Sequence, residues 1–248
     1  MRELVKLHRV RQAHGLPEQA GEYYRKSLEV AEQLHALTGT TDALVFLSMS
    51  HVNLGHHLRS LGKLEEAREC YQKSLRATVQ IYEQIGSAAA LRDVSVSCDR
   101  LAGHLVLLGN IQEASHYYRK SLEIAEHIYE QTETLEALRG LLVPYDRLSD
   151  HLVSLGKIEE AAEYRQKSVE AAEQVCKQTG TIKALRVLSE SYDRLGDDLG
   201  SLGRIEEAGE YHQKSVGVAE RIYEQTRTIE DLEELSSSYD RMGDRLKY

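Results

Sequence analysis

Residues Ser191 to Ser215 read SYDRLGDDLGSLGRIEEAGEYHQKS, and the same pattern recurs upstream, complete or nearly so, at a step of 47 residues. From Leu195 the step lands on Leu148, Leu101, Leu54 and Leu7, and forward on Met242. Gly203 maps onto Gly156, Gly109, Gly62 and Gly15, and Ala208 onto Ala161, Ala114, Ala67 and Ala20. No insertion breaks the register, so the chain is an array. Repeats of this length bury their apolar faces only against neighbours, which predicts one continuous core and a single repeat domain over residues 1–248.

Within the unit, Leu185, Leu188, Tyr192, Leu195, Leu199 and Leu202 are spaced 3, 4, 3, 4 and 3, one face of a helix, here helix A. Gly203 then supplies the left-handed stop that other residues adopt only at a cost. Ile205, Ala208, His212, Ser215, Ala219 and Ile222 repeat the spacing, and Tyr211, Val216, Val218 and Tyr223 widen the apolar arc to two faces. This is helix B, which must pack on its own A and on the next. The one or two residues between A and B force an antiparallel hairpin. Between units, Thr134, Thr181 and Thr228, with Ser87 and Thr40 in the same register, are predicted N-caps. Small residues at Gly55, Ala102, Ser149, Gly196 and Gly243 on A, and at Ala208 and Ser215 and their equivalents on B, mark where the helices approach. Pro144, in the place of Ser50, Ser97 and Ser191, is expected to kink its helix near Gly140.

Tyr192, Leu195, Gly196, Leu199, Gly203, Ala208, His212 and Ser215 fall at the spacings of the tetratricopeptide repeat, and the chain resembles that family over essentially its whole length. It departs in having a 47-residue unit instead of one of about 34, and in lacking the Trp and helix-ending Pro of the signature. The resemblance implies an all-α, right-handed α-solenoid of antiparallel helix hairpins, with a concave face formed by the A helices and non-catalytic binding of protein segments. At one end, residues 1–14 form a shortened first helix, read either as a natural start or as a sign of a longer array. At the other, residues 228–248 are expected to cap the array, with Asp231, Glu233 and Glu234 turned outward.

Charged residues are 29% of the chain and hydrophobic ones 41%, with no Trp, a soluble helical composition. Cys70, Cys98 and Cys176 lie far apart without a CxxC, so no disulfide framework or zinc ribbon is indicated. The opening MRELVKLHRVRQAH has no continuous apolar run and reads as neither leader nor membrane span, which predicts a cytoplasmic protein. The net charge of −9 is uneven: residues 189–235 hold 13 acidic and 5 basic groups, residues 1–94 hold 11 and 12. That balance argues against nucleic acid and anionic membranes, and for a protein or peptide partner of basic or mixed charge.

On the face that the resemblance assigns to ligands, Asp99, Asp146, Asp193 and Asp240 occupy one register. Asp150, Asp197 and Asp244 occupy a second, four residues on and on the same side. His56 and Arg59 are the candidate contacts upstream. Arg100, Arg147, Arg194 and Arg241 run beside the acidic stripe, close enough to pair with Asp of a neighbouring repeat. Two readings follow: an ion-pair ladder holding the array, or leftover carboxylates receiving Lys or Arg of a bound segment.

An active site is normally built once, whereas these carboxylates recur, so no catalytic group and no cofactor is assigned. His57, His104 and His151 recur on successive A helices, roughly 8–10 Å apart, a spacing that favours surface or interhelix packing over convergence on one metal ion, so no metal is assigned. Gly62-Lys63 and Gly156-Lys157 lack a GxxxxGK[ST] and follow helices, so no phosphate loop is present. The predicted function is a protein-interaction scaffold binding on the A-helix face. The alternatives are a structural solenoid that self-assembles through its terminal repeats, and a peptide-sensing part of a larger signalling protein.

Overall fold

The computed structural model describes helices over residues 2–245 and side chains over residues 18–243. Among the described residues there are ten α-helices and no strand: α1 (Arg2–Thr38), α2 (Thr41–Ser60), α3 (Leu64–Ile85), α4 (Ala88–Leu107), α5 (Ile111–Thr132), α6 (Leu135–Ser154), α7 (Ile158–Thr179), α8 (Ile182–Ser201), α9 (Ile205–Thr226) and α10 (Ile229–Arg245). Even-numbered helices are the A helices, and α3, α5, α7 and α9 the B helices. The shortened helix expected over residues 1–14 lies outside the described side chains.

The helix ends follow local chemistry. The hydroxyls of Thr40, Ser87, Thr134 and Thr181 accept the backbone N–H of Ala43, Ala90, Ala137 and Ala184, satisfying one otherwise unpaired donor each. A-to-B turns pivot on Gly62, Gly109, Gly156 and Gly203, all with φ between 71° and 75°. B-to-A turns also need a left-handed residue. Gly39, Gly86 and Gly180 supply it cheaply, whereas Glu133 and Arg227 take the same conformation with φ of 48° and 53°. Pro144 is accommodated inside α6, which is one helix from Leu135 to Ser154.

The chain divides into two compact units, Met1–Ile124 and Ala125–Tyr248. In the first, Leu54 and Leu58 of α2, Tyr71 and Leu75 of α3, and Cys98, Leu101 and Leu105 of α4 form one core. In the second, Leu148, Leu152, Val169, Leu185 and Leu195 are the equivalent buried set. In the first unit α1 to α4 pack each on the next, and in the second α6 to α10 do the same. The three cysteines are free and buried.

Close approach explains the small residues. A Cβ built on Gly55 would lie 3.0 Å from the Tyr71 ring, and one on Gly196 would lie 2.3 Å from the His212 ring. One row up, serines join the same pairs of helices: Ser48 with Ser74 at 2.9 Å, Ser95 with Ser121 at 2.8 Å, Ser189 with Ser215 at 2.9 Å.

One expectation at the far end is corrected. Asp231 is buried, not outward, because its carboxylate accepts the Thr226 and Thr228 hydroxyls at 2.6 Å and meets Arg186 at 2.7 Å. Those bonds satisfy a charge that would otherwise be costly to bury.

Candidate interaction surface

The A helices place their registers at fixed neighbours. The register of Gly55 and Gly196 faces the B helix that follows, and the next register but one faces the B helix before. In the first unit the His104 ring packs 5.0 Å from Tyr71, and its Nε2 lies 2.7 Å from the Leu64 carbonyl oxygen. His56 hydrogen-bonds the Tyr71 hydroxyl from the other side at 3.0 Å. His56 and His104 are thus packing and hydrogen-bonding groups around one tyrosine. Burial first, then Arg59 and Arg100, lower the His56 pKa. Among the described residues no group of His, Cys, Asp or Glu is placed to hold a metal ion.

In the second unit the tyrosine is replaced. Arg165 of α7 stands where α3 has Tyr71, and it is 3% exposed. Its Nε donates to Asp198 at 2.9 Å and its Nη2 to Asp150 at 2.9 Å, with Asp146 3.8 Å from Nη1. Asp146 also accepts the Ser168 hydroxyl at 3.0 Å. Arg194 of the next A helix reaches back to Asp146 at 3.8 Å and Asp150 at 3.6 Å. Burial pushes the Asp146 and Asp198 carboxyls up, against the pull of Ser168 and the arginines. The Arg165 pKa rises in spite of burial, because its carboxylate partners outweigh desolvation.

The same logic recurs at Asp193, which pairs with Arg241 at 3.2 Å and His212 at 3.4 Å. Burial acts against its ionised form, but hydrogen bonds from His212 and Ser215 and the Arg241 charge outweigh it and lower its pKa. Much of the predicted acidic stripe is therefore neutralised from within, by Arg165, Arg194 and Arg241. Arg165 was not legible as a site residue. Its signal is a paired exchange two periods apart, Tyr71 with His104 becoming Arg165 with Asp198.

Clefts open between successive A helices, floored by the B helix between them. Within the second unit, α6 and α8 enclose about 680 Å³ and α8 and α10 about 400 Å³; within the first, α2 and α4 enclose about 370 Å³. Leu142, Val143, Val175 and Val187 line the largest, with Arg139, Arg147, Lys183 and Arg194 at its edge. Asp146 and Asp150 line that cleft and Asp193 the α8–α10 cleft. His56, Arg59, Asp99, Asp197 and Asp240 line none of the three, and the Asp244 side chain lies outside the described residues. The sequence reading missed the apolar lining, although Met49, Val96 and Val143 share one exposed register.

Antiparallel helix pairs stacked in sequence, close-packed through small residues and cleft along one set of helices, define a helical-repeat protein. Residues 50–78 and 98–128 match the tetratricopeptide repeat family, and the chain's fold is a tetratricopeptide-like solenoid of helix hairpins. Its fold is similar to that of BtubC (BKLC) from P. vanneervenii, with a TM-score of 0.64 at 15% identity over 93% of this chain and 91% of that one. It is also similar to a putative kinesin light chain of Podosopora anserina with nearly identical TPR-like repeats, with a TM-score of 0.55 at 18% identity over 89% and 98%. No curated protein sequence matches the chain. Tetratricopeptide repeats generally mediate protein–protein contact in non-catalytic scaffolds. Among the described residues no helix is long and apolar enough to cross a membrane.

Proposed function

We propose that the chain is a non-catalytic scaffold that receives a peptide or protein segment on its A-helix face, with the α6–α8 cleft as the principal seat. The supporting observation is the combination there of about 680 Å³ of open volume, an apolar lining and a charged edge. An apolar side chain of the partner sits against Val143 and Val187, and charges of both signs flank it. At the cleft the half-exposed Asp150, which Arg165 and Arg194 already hold from within, faces basic groups of the partner, while Arg139, Arg147 and Lys183 receive acidic ones. The partner is a mixed-charge segment, and the charged contacts weaken as salt is added.

The test is selection of binders from a random peptide library, repeated with Val143→Asp and with a variant carrying Lys at Asp193, Asp197, Asp240 and Asp244. The apolar seat requires Val143→Asp to lose the selected peptides, and the acidic contribution requires the Lys variant to shift their composition away from Lys and Arg. Binders that are indifferent to both changes refute the A-helix face as the site.

A further inference from the structure

Helix α1 from residue 18 on has the sequence register of a B helix, and its face toward a preceding A helix is uncovered. Tyr23 is 72% exposed, and Leu34 is 38% exposed where its counterparts Ile81, Ile128, Val175 and Ile222 are at most 7%. Ser27 is exposed, while Ser74, Ser121, Ser168 and Ser215 in its register are buried.

Helix α10 shows the converse. It is an A helix whose face toward a following B helix is open: Leu232 is 46% exposed where Leu44, Leu138 and Leu185 are at most 3%, and Tyr239 is 49% exposed where Tyr145 and Tyr192 are at most 7%. Ser236 is exposed, and a Cβ on Gly243 would meet nothing within 4 Å.

We propose that α10 of one copy occupies the open face of α1 of a second copy, joining chains head to tail in the register of an internal repeat. Every half-contact left open on one helix has its complement on the other. Ring pairs join Tyr145 to Tyr164 and Tyr192 to Tyr211, and the same step matches Tyr239 with Tyr23 of the next copy. The serine pairs Ser48–Ser74, Ser95–Ser121 and Ser189–Ser215 continue as Ser236 with Ser27. Gly55 against Tyr71 continues as Gly243 against Tyr24, and Leu44 beside Ile81 as Leu232 beside Leu34. Such a joint is heterologous, so it gives rings where the rotation closes and open filaments where it does not.

The experiment is sedimentation equilibrium of the 248-residue chain over a wide concentration range, with two variants on exposed positions. One carries Tyr23→Lys and Leu34→Lys on α1; the other carries Leu232→Lys and Gly243→Leu on α10. The parent is expected to exceed 28.1 kDa progressively with concentration. Each variant is expected to keep the parent's far-UV circular dichroism and to weaken association at least tenfold. Mixing the two restores one joint, because each retains one intact face, and yields a dimer that grows no further. A parent that stays at the monomer mass refutes the proposal. So does association that persists in both variants, or a mixture of folded variants that stays monomeric. None of these outcomes bears on peptide capture by the A-helix clefts.

Discussion

Replacing Arg165 by Tyr, the residue its register carries at Tyr71 and Tyr118, should destabilise the second unit although it restores the repeat consensus. The change removes the guanidinium that holds Asp198 at 2.9 Å, and Asp198 is itself only 6% exposed. A buried carboxylate that loses its charge partner costs about 3–5 kcal/mol. At about 2–4 °C per kcal/mol for a chain of this size, melting should fall by about 6–20 °C. Asp150 adds little to this figure, because its side chain is 50% exposed and water replaces the lost partner. The variant that adds Asp198→His and Asp150→His copies the arrangement of Tyr71, His104 and His56. It should recover most of the loss, since replacing a buried ion cluster by packed neutral groups is often close to neutral. Urea unfolding followed by far-UV circular dichroism measures both. An unchanged midpoint for the single variant, or no recovery in the triple, refutes the assignment of Arg165 as the structural centre of the acidic stripe.

Burial, then the charges of Lys73 and Arg76, lower the His51 pKa from 6.5 to about 4. The folded state therefore takes up this proton later than the unfolded chain does. Its contribution is complete above pH 6.5 and is lost as pH falls toward 4, at most about 3 kcal/mol; His51→Leu should flatten the stability profile in that window. Gly196→Ala should destabilise by about 1–3 kcal/mol, because its Cβ would lie 2.3 Å from the His212 ring. The same change at Gly243 meets nothing within 4 Å and should stabilise the monomer by up to about 1 kcal/mol; equal melting shifts for the two would refute the packing account. Glu133→Gly and Arg227→Gly should each stabilise by about 0.5–1 kcal/mol by relieving a positive φ, which unfolding midpoints would check. Thr181→Ala should cost about 1 kcal/mol through loss of the bond accepted from Ala184 N–H.

From α2 to α10, helix boundaries and the order of A and B helices are local properties, and the sequence carries them openly. A spacing of three and four makes a face, a hydroxyl before Ala43 or Ala184 starts a helix, and Gly62 or Gly203 ends one. Those effects act within a few residues, so the 47-residue register displays them without any knowledge of the fold. The small residues at Gly55 and Gly196 were legible for the same reason, although the partners filling the space above them, Tyr71 and His212, were not.

Which charges remain available was decided only in three dimensions. Asp146 and Asp150 read as part of a repeating acidic surface until helix packing brings Arg165 beneath them and Arg194 alongside, and a carboxylate's character depends on such neighbours more than on its own position. The cleft beside Val143 arises likewise from the separation of α6 and α8 over α7. The open faces of α1 and α10 are the clearest case. Leu232 and Leu185 have the same register, yet one is half exposed and the other buried, because burial belongs to the neighbour that covers a residue.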